Sequence, residues 1–321
     1  MLPRRRLGRS PVLVTEYSLG GAPLGNLFAP VTADEARAVV DAAWDGGVRA
    51  FDTAPHYGLG LSERRLGAAL RDRPRDEYVI STKVGRILRP VPGPPYGPDP
   101  DGFAVPADHV REHDYSGDGV RASLEASLER LGLDRVDIVL IHDPDDHEEK
   151  AFREAYPALE KLRAEGTVRA IGAGMNQAAM LTRFITDTDI DVVLLAGRYT
   201  LLDRSAADEL LPAAADRGVS VIAGGVFNSG LLARPGPGAT YDYQSAPAPL
   251  LDRALALEDT CTRHGVPLRA AAARFPLTHP AVASTLIGAR TAAEIGDALA
   301  LRSLPLAPGL WDELAANGSP S

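Results

Sequence analysis

The strongest constraint on the fold is a regular alternation of short apolar runs with longer amphipathic segments along the chain. From residue 48 onward, the apolar runs read VRAFDTA, YVISTKVG, VDIVLIHDP, VRAIGAGM, DVVLLAGR, VSVIAGG and VASTLIGAR. Together with a strand over residues 16–20, they give eight strand-then-helix units. Uninterrupted Val/Ile/Leu-rich strands separated by amphipathic helices predict a parallel sheet that is covered by helices.

Eight such units are the content of a closed (β/α)8 TIM barrel. The alternative is a doubly wound open sheet, which usually opens with a glycine-rich phosphate loop. No GxGxxG follows the first strand and no GxxxxGK[ST] occurs anywhere, so the barrel is favoured. We therefore predict a single α/β barrel domain over residues 1–321 that opens with a β-hairpin.

Two segments interrupt the alternation. Residues 89–116 and 226–249 are rich in proline and glycine, and they follow the third and the seventh strand. Loops after barrel strands lie at the C-terminal face, where barrel enzymes carry out their chemistry. We predict both segments as irregular insertions, because long unstructured loops in a compact domain are more often lids or substrate loops than linkers.

Charge and composition exclude several classes of function. The chain has 43 acidic and 34 basic side chains, and this formal net charge of -9 argues against a nucleic-acid surface. No apolar run approaches the roughly 18–20 residues of a membrane helix, and the start of the chain lacks a signal-peptide pattern. Cys261 is the only cysteine, so no intramolecular disulfide can form. We expect a soluble, cytoplasmic protein with no nucleic-acid or membrane partner, and the oligomeric state stays open.

Polar side chains end three successive strands of the predicted barrel. Asp52 ends the second strand, Lys83 the third and His142 the fourth, and Tyr57 lies five residues after Asp52. Each has an ordinary alternative role: Asp52 can cap a turn and Lys83 can extend to solvent. His142 can be a buried core histidine, and Tyr57 can pack the loop. Their joint placement favours a shared site, because the carboxyl ends of barrel strands meet at one face.

These residue types suit proton transfer at an oxygen while a hydride moves at the attached carbon. A phenol has a pKa near about 10 and is a poor acid or base at neutral pH. A neighbouring ammonium lowers that pKa, and an aspartate holds the lysine in place. A histidine can donate a hydrogen bond to a carbonyl or hydroxyl oxygen. The candidate catalytic residues are therefore Asp52, Tyr57, Lys83 and His142.

The segment FDTAPHYGLGLSERRLGAAL, with the strand ends STK and IHDP, resembles the aldo-keto reductase superfamily. The likeness extends from LGRSPVLVTEYSLGGAPLG to LIGARTAAEIGDALA, nearly the whole chain. It implies a (β/α)8 barrel that binds an extended nicotinamide cofactor without a separate dinucleotide-binding domain. It also implies Tyr57 as general acid/base, with Lys83 and Asp52 as the pair that tunes it. The same resemblance implies that His142 orients the substrate oxygen.

The resemblance further implies cofactor contacts at strand ends and in the loops that follow them. These expected contacts are Gly21, Asn176, Gly225, Phe227, Ser229, Gly288, Arg290 and Glu294. Several positions depart from the family, among them its usual glutamine, which aligns with Ala196, and its stacking aromatic, which aligns with Gly224. Glu294 aligns with the arginine that serves the 2′-phosphate in NADPH-preferring members, and a carboxylate repels a phosphate. NAD is therefore favoured over NADP, although the nearby Arg290 can still serve the phosphate.

Within the superfamily, the segments GAGMNQ, GGVFNSGLL, DYSGDGV and IHDPDDH are similar to the D-threo-aldose 1-dehydrogenase branch. This likeness implies NAD(P)-dependent oxidation of an aldose of the L-fucose or D-arabinose type at its anomeric carbon, giving the lactone. Pyridoxal 4-dehydrogenase, from the same branch, is the nearest alternative, and a general NADPH-dependent aldehyde or ketone reductase is the next. The expected partner is a small sugar, hemiacetal or aldehyde.

Two patterns raise the question of a metal site or of a different class of protein. HVREH at residues 109–113 matches the HxxEH pattern of zinc proteases, but Pro106 and Gly117 leave at most about two helical turns for it. A second cluster of acids and imidazoles comprises His142, Asp143, Asp145, Asp146 and His147. We expect these acids to form a solvated loop, and we expect no metal. A non-catalytic subunit of the same fold is the other class, and the four candidate catalytic residues together argue against it.

Overall fold

Strands and helices alternate along the chain in this computed structural model, which describes residues 2–242, 244–307 and 309–318. The strands are β1 (Arg4–Arg6), β2 (Leu13–Thr15), β3 (Tyr17–Gly20), β4 (Ala50–Asp52), β5 (Val79–Val84), β6 (Arg86–Pro90), β7 (His109–His113), β8 (Ile138–His142), β9 (Ala170–Met175), β10 (Val192–Ala196), β11 (Ser220–Gly224), β12 (Thr240–Tyr241), β13 (Gln244–Ser245) and β14 (Val282–Gly288). Within the described residues, β3, β4, β5, β8, β9, β10, β11 and β14 close into a parallel barrel in that order. The predicted eight-stranded barrel and its opening hairpin, β1 with β2, are confirmed.

Helices follow the barrel strands and cover the barrel from outside. They are α1 (Ala33–Asp45), α2 (Leu61–Leu70), α3 (Gly117–Leu131), α4 (Glu148–Lys150), α5 (Tyr156–Ala164), α6 (Ala178–Asp187), α7 (Leu210–Arg217), α8 (Ala248–Arg263), α9 (Leu268–Arg274), α10 (Ala292–Arg302) and α11 (Leu310–Gly318). A π-helical segment, Ala151–Ala155, joins α4 to α5. In the described part of the chain, no helix is long and apolar enough to cross a membrane.

The pleat of the strands separates an inner core from an outer one. In β8, Ile138 and Leu140 belong to the cluster inside the barrel, whereas Val139 and Ile141 pack against the helices. Such alternation follows from the period of two in a strand. The inner cluster also contains Val14 of β2, which meets residues at the starts of several barrel strands. The opening hairpin therefore closes the N-terminal end of the barrel and leaves the C-terminal end to the functional loops.

The prediction that residues 89–116 lack regular structure is wrong. β6 and β7 pair as an antiparallel hairpin, with Arg86 opposite His113. The prolines and glycines that indicate a loop are concentrated in residues 91–108, which connect these two strands. Because the HVREH motif forms β7 and not a helix, its two histidines lie about 13 Å apart along the strand and cannot share one zinc ion.

The second insertion, residues 226–249, is also more regular than predicted. β12 and β13 form a short antiparallel pair within it, and α8 already begins at Ala248. Their register places Thr240 opposite Ser245. Short strands of two residues each carry no recognisable alternation, so the sequence pattern could not indicate them.

Three helical segments differ from the sequence-based expectation. α7 begins at Leu210, whereas the amphipathic segment SAADELLPAAADRG predicts a helix that begins at Ser205. Pro212 explains the later start, because proline is tolerated in the first turn of a helix and not in its interior. α9 and α11 were not predicted. The alanine-rich α9 is buried over most of its length and therefore lacks the polar face by which a helix is recognised.

Candidate active site

The strand pleat directs three of the predicted catalytic residues into the mouth of the barrel. A side chain two or four residues beyond an interior residue shares its face of the strand. Asp52 has this relation to Ala50, and His142 has it to Leu140, both of which belong to the inner cluster. Lys83 has the same parity on β5 and is only 1% exposed. The three side chains therefore converge from adjacent strands.

The loop that carries Tyr57 is held against the loop after β3 by close contact between two glycines. Gly58 has a φ of +61°, and a Cβ at this position would lie 2.2 Å from the carbonyl oxygen of Gly25. A Cβ at Gly25 would lie 2.6 Å from the carbonyl carbon of Tyr57. The absence of both side chains lets the two backbones meet and fixes the position of Tyr57 above the strand ends.

The Lys83 ammonium joins Asp52 to Tyr57. Its nitrogen lies 2.7 Å from Asp52 Oδ2, 3.0 Å from the Tyr57 hydroxyl and 3.0 Å from the Thr53 carbonyl oxygen. Ser81 donates a hydrogen bond of 2.7 Å to the other carboxylate oxygen of Asp52. Each of the three ammonium protons therefore has an acceptor, and the residues form one hydrogen-bonded cluster.

Burial and charge act on the Tyr57 phenol in opposite directions. Burial raises the pKa of Tyr57 to about 12, while the Lys83 ammonium lowers it and the Asp52 carboxylate raises it. The lysine thus has the expected sign, but burial outweighs it. Burial also acts to lower the pKa of Lys83, yet the combined attraction of Asp52 and Tyr57 raises that pKa above its ordinary value. At neutral pH the pair is a neutral phenol beside a charged ammonium.

His142 is held as a neutral imidazole. Burial, together with the positive charges of Arg86 and Lys83, lowers the pKa of His142 well below its ordinary value. Its ring meets the Tyr57 ring edge-on, with 5.8 Å between the centroids. Nδ1 is buried and has no hydrogen-bond partner in the described residues, and Nε2 lies 3.4 Å from Asp143 Oδ2. A neutral imidazole offers one N–H donor, which suits the orientation of an oxygen.

Sequence reasoning missed a polar group beside His142. Arg86, the first residue of β6, contacts both His56 and Asp143, at 2.9 Å from His56 Nδ1 and 2.7 Å from Asp143 Oδ2. The expectation of a solvated acidic loop is wrong for Asp143, which turns toward His142 and Arg86. His56 and Asp143 could have been predicted as site residues, because they are the sequence neighbours of Tyr57 and His142.

Gly288 and Gly21 lie at the barrel rim on the other side of Asp52. Gly288 is exposed and pairs with Gly20 of β3, which in turn pairs with Asp52. Gly21 is buried, its N–H donates to the Asp52 carbonyl oxygen, and its own carbonyl accepts from Ser62. A Cβ at Gly21 would lie 2.6 Å from that Asp52 oxygen, so glycine is required here for close packing of the strands.

The other predicted cofactor contacts after β9 and β11 lie at the end of the barrel where β4, β5 and β8 also end. Asn176 directly follows β9 and is half-buried. Gly225 is exposed with a φ of +61°, and Ser229 has a φ of +58°. The Phe227 ring packs against the hydrophobic core and is partly exposed. These residues present backbone and amide groups at the rim.

Glu294 has a structural role that the sequence reasoning did not predict. Its carboxylate accepts a hydrogen bond of 2.7 Å from the backbone N–H of Arg290. Its own N–H donates to the Thr291 hydroxyl at 3.2 Å, so the two residues cap the start of α10. The side chains of Arg290 and Glu294 are both exposed, and Arg290 makes no ion pair within the described residues.

The chemistry of this rim fits an extended dinucleotide. Asn176 offers an amide, Arg290 offers an exposed cation, and the exposed glycines Gly225 and Gly288 leave their backbone open to a ligand. The buried Oδ1 of Asn228 has no hydrogen-bond partner in residues 2–242, 244–307 and 309–318. An unpaired buried acceptor is rare in folded proteins, and a donor group of a bound ligand would satisfy it.

The residues that raised the question of a metal do not form a site. Among the described residues, no group of three or more His, Cys, Asp or Glu side chains is placed to hold a metal ion. His113 of the HVREH motif faces His147 instead, with 5.1 Å between the ring centroids.

The chain is similar to known proteins over most of its length. The model of the Aldo/keto reductase family matches residues 17–316. A D-threo-aldose 1-dehydrogenase from Pseudomonas sp is 50% identical over 301 residues, which cover 92% of each chain. A pyridoxal 4-dehydrogenase from Microbacterium luteolum is 40% identical and covers 98% of this chain and 97% of its own. The solved structure of an aldo-keto reductase from Bacillus halodurans superposes with a TM-score of 0.77 at 25% identity, covering 99% of this chain and 97% of that one.

Proposed function

The chain belongs to the aldo/keto reductase family and is an oxidoreductase, and from this premise we propose that it oxidises an aldose at the anomeric carbon to the lactone. The observation that carries the proposal is the buried Lys83 ammonium, 3.0 Å from the Tyr57 hydroxyl. The 50% identical relative named D-threo-aldose 1-dehydrogenase supports an aldose of the L-fucose or D-arabinose type as substrate.

Tyr57 is the proposed proton acceptor. As phenolate it takes the proton of the anomeric hydroxyl, while the hydrogen on the same carbon leaves with its electron pair and a C=O bond forms. Aldo-keto reductases use nicotinamide cofactors, and nicotinamide bound at the rim supplies the hydride acceptor. Lys83 stabilises the phenolate charge across 3.0 Å, and Asp52 keeps Lys83 charged and in place.

His142 orients the oxygen that loses the proton. Burial holds the pKa of its imidazole well below the ordinary value, so the ring donates one N–H and is too weak a base to compete for the proton. The edge-on contact of its ring with Tyr57 holds that donor beside the phenol. Proton acceptor and orienting donor thus meet at one point of the mouth, which is what general base catalysis needs.

We further propose that NAD is preferred over NADP. The exposed carboxylate of Glu294 is held at the start of α10 by its hydrogen bond to the Arg290 N–H. A fixed negative charge there disfavours a 2′-phosphate and can accept a hydrogen bond from a ribose hydroxyl. Arg290 acts in the opposite direction, so the preference is a balance between these two side chains.

Absorbance at 340 nm tests the proposal, using the purified protein with NAD or NADP and each of L-fucose, D-arabinose and pyridoxal. We expect the absorbance at 340 nm to rise with NAD and either sugar. A rise in absorbance with pyridoxal alone would make pyridoxal, and not an aldose, the substrate. This second candidate is favoured by the 40% identical relative named pyridoxal 4-dehydrogenase. If the absorbance rises with no combination of cofactor and substrate, both candidate functions are overturned. Oxidation of NADPH in the presence of simple aldehydes would then test whether the protein is a carbonyl reductase.

A further inference from the structure

The hairpin β6–β7 reaches into the mouth of the barrel through one arginine. Arg86 is 13% exposed at its side chain, and its two terminal nitrogens reach two different groups. One lies 2.9 Å from His56 Nδ1 and the other donates to Asp143 Oδ2 at 2.7 Å. His56 directly precedes Tyr57, and Asp143 directly follows His142. One guanidinium thus fixes the neighbours of two candidate catalytic residues.

Arg86 determines which nitrogen of His56 carries the proton. A guanidinium only donates hydrogen bonds, so the Nδ1 atom that faces it must be the acceptor. Burial and the charges of Arg86 and Arg111 lower the pKa of His56 to about 2, so the ring is neutral. The proton is therefore on Nε2, which forms no hydrogen bond to any residue that the structure describes. His56 consequently holds a donor without a partner, with its ring centroid 5.6 Å from that of His142.

Asp143 supplies an acceptor on the other side of Arg86. Its Oδ2 contacts Arg86 and lies 3.4 Å from His142 Nε2, while its side chain remains 32% exposed. The backbone of Asp143 has a φ of +40°, an uncommon conformation for a residue other than glycine. Tyr115 helps to hold this conformation, because its hydroxyl donates to the carbonyl oxygens of both His142 and Asp143, at 2.7 and 2.9 Å.

The hairpin is anchored well enough to hold these groups in fixed positions. Arg111 of β7 donates to both carboxylate oxygens of the buried Asp99, at 2.6 and 2.8 Å, and to the carbonyl oxygen of His56 at 2.9 Å. Gly85 has a φ of +105°, and a Cβ there would lie 2.2 Å from the Tyr115 ring. Both strands of the hairpin are therefore tied to the loops that carry Tyr57 and His142.

We propose that His56 and Asp143, set by Arg86, form a subsite that recognises a substrate hydroxyl other than the one oxidised. A hydroxyl both donates and accepts, so an N–H donor and a carboxylate acceptor that are held by the same guanidinium match it. The subsite selects polyhydroxylated substrates over simple aldehydes and hemiacetals. This inference deepens the proposed function and rests on it for the identity of the oxidised hydroxyl.

Kinetics with two hemiacetals test the subsite. L-fucose carries further hydroxyls, whereas tetrahydropyran-2-ol carries only the hydroxyl that would be oxidised. For His56→Ala and Asp143→Ala, we expect kcat/KM for L-fucose to fall at least about tenfold, with less than about a twofold change for tetrahydropyran-2-ol. The matched control is Arg89→Met, since Arg89 lies on the same strand as Arg86 but pairs with the exposed Glu112. This control should change neither value.

An equal loss for both substrates in His56→Ala would show a purely structural role and overturn the subsite, as would unchanged kinetics. If the wild-type protein oxidises neither compound, the proposed function fails and the subsite needs a readout without turnover. Binding of 1,5-anhydro-L-fucitol, a polyol without an anomeric hydroxyl, provides it through the side-chain ¹⁵N–¹H signal of His56. We expect that signal to shift when the polyol binds. In Arg86→Met, we expect the His56 ring to populate both tautomers, because the donor that fixes Nδ1 as the acceptor is gone. A signal that does not respond to the polyol would overturn the subsite, whatever the enzyme oxidises.

Discussion

The Lys83 ammonium nitrogen lies 3.0 Å from the Tyr57 hydroxyl, inside a pocket whose burial alone disfavours the phenolate. Burial raises the pKa of Tyr57 to about 12, and the lysine is the one neighbour among its largest influences that both contacts the hydroxyl and lowers that pKa. The ammonium therefore increases the fraction of phenolate available for proton abstraction, against the larger opposing effect of burial.

Replacing Lys83 with methionine should move the pH profile of oxidation to higher pH. Loss of the ammonium removes the interaction that lowers the phenol pKa, so the pKa rises further and the phenolate fraction at a given pH falls. At a pH below the phenol pKa, the phenolate fraction falls about tenfold for each unit by which that pKa rises. The profile of kcat/KM against pH measures the shift, and an ascending limb that stays at the same pH would contradict the pairing.

Replacing Tyr57 with phenylalanine should lower kcat by at least about two orders of magnitude, the usual contribution of a positioned acid or base. Phenylalanine keeps the ring that meets His142 edge-on and removes only the hydroxyl. Cofactor binding, followed by quenching of protein fluorescence, should therefore remain close to that of the wild type. Near-normal turnover would show that another group accepts the proton.

The two substitutions Glu294→Arg and Glu294→Gln should separate charge from capping. Arginine should raise kcat/KM with NADP relative to NAD, because it replaces a repelled carboxylate by a cation. Glutamine keeps an acceptor for the Arg290 N–H and removes only the charge, so it should give a smaller change in the same direction. Arginine should also cost about 0.5–1 kcal/mol of stability through the lost cap. Equal cofactor ratios in all three proteins would place the 2′-phosphate elsewhere.

Replacing Gly67 with alanine should destabilise the fold by about 2 kcal/mol or more, since overpacking without room to relax is costly. A Cβ at Gly67, on α2, would lie 1.8 Å from the carbonyl oxygen of Leu131 on α3. Gly296 provides the matched control, because it also lies within a helix, α10, and a Cβ there meets nothing within 4 Å. Gly296→Ala should stabilise the protein by about 0.5–1 kcal/mol through helix propensity. Urea unfolding measures both, and a neutral Gly67→Ala would contradict the close contact of α2 with α3.

The alternation of strands and helices was enough to predict the barrel and the direction of three candidate catalytic side chains. In a parallel barrel, the carboxyl ends of successive strands meet at one face, and the period of two fixes which side chains point inward. The inward direction of Asp52, Lys83 and His142 can therefore be predicted from their positions along their strands alone. Tyr57 lies in a loop, and its position depends on the contact between Gly25 and Gly58, which joins distant parts of the chain.

What the sequence by itself determined is thus the repeating architecture, because periodicity is a local property of the chain. The tertiary structure decided the rest through contacts between segments far apart in sequence. It made a hairpin of residues that look like a loop, and it placed Arg86 between His56 and Asp143. It also decided the pKa of Tyr57, since burial depends on everything packed around a group and outweighs the one charge that the sequence placed beside it.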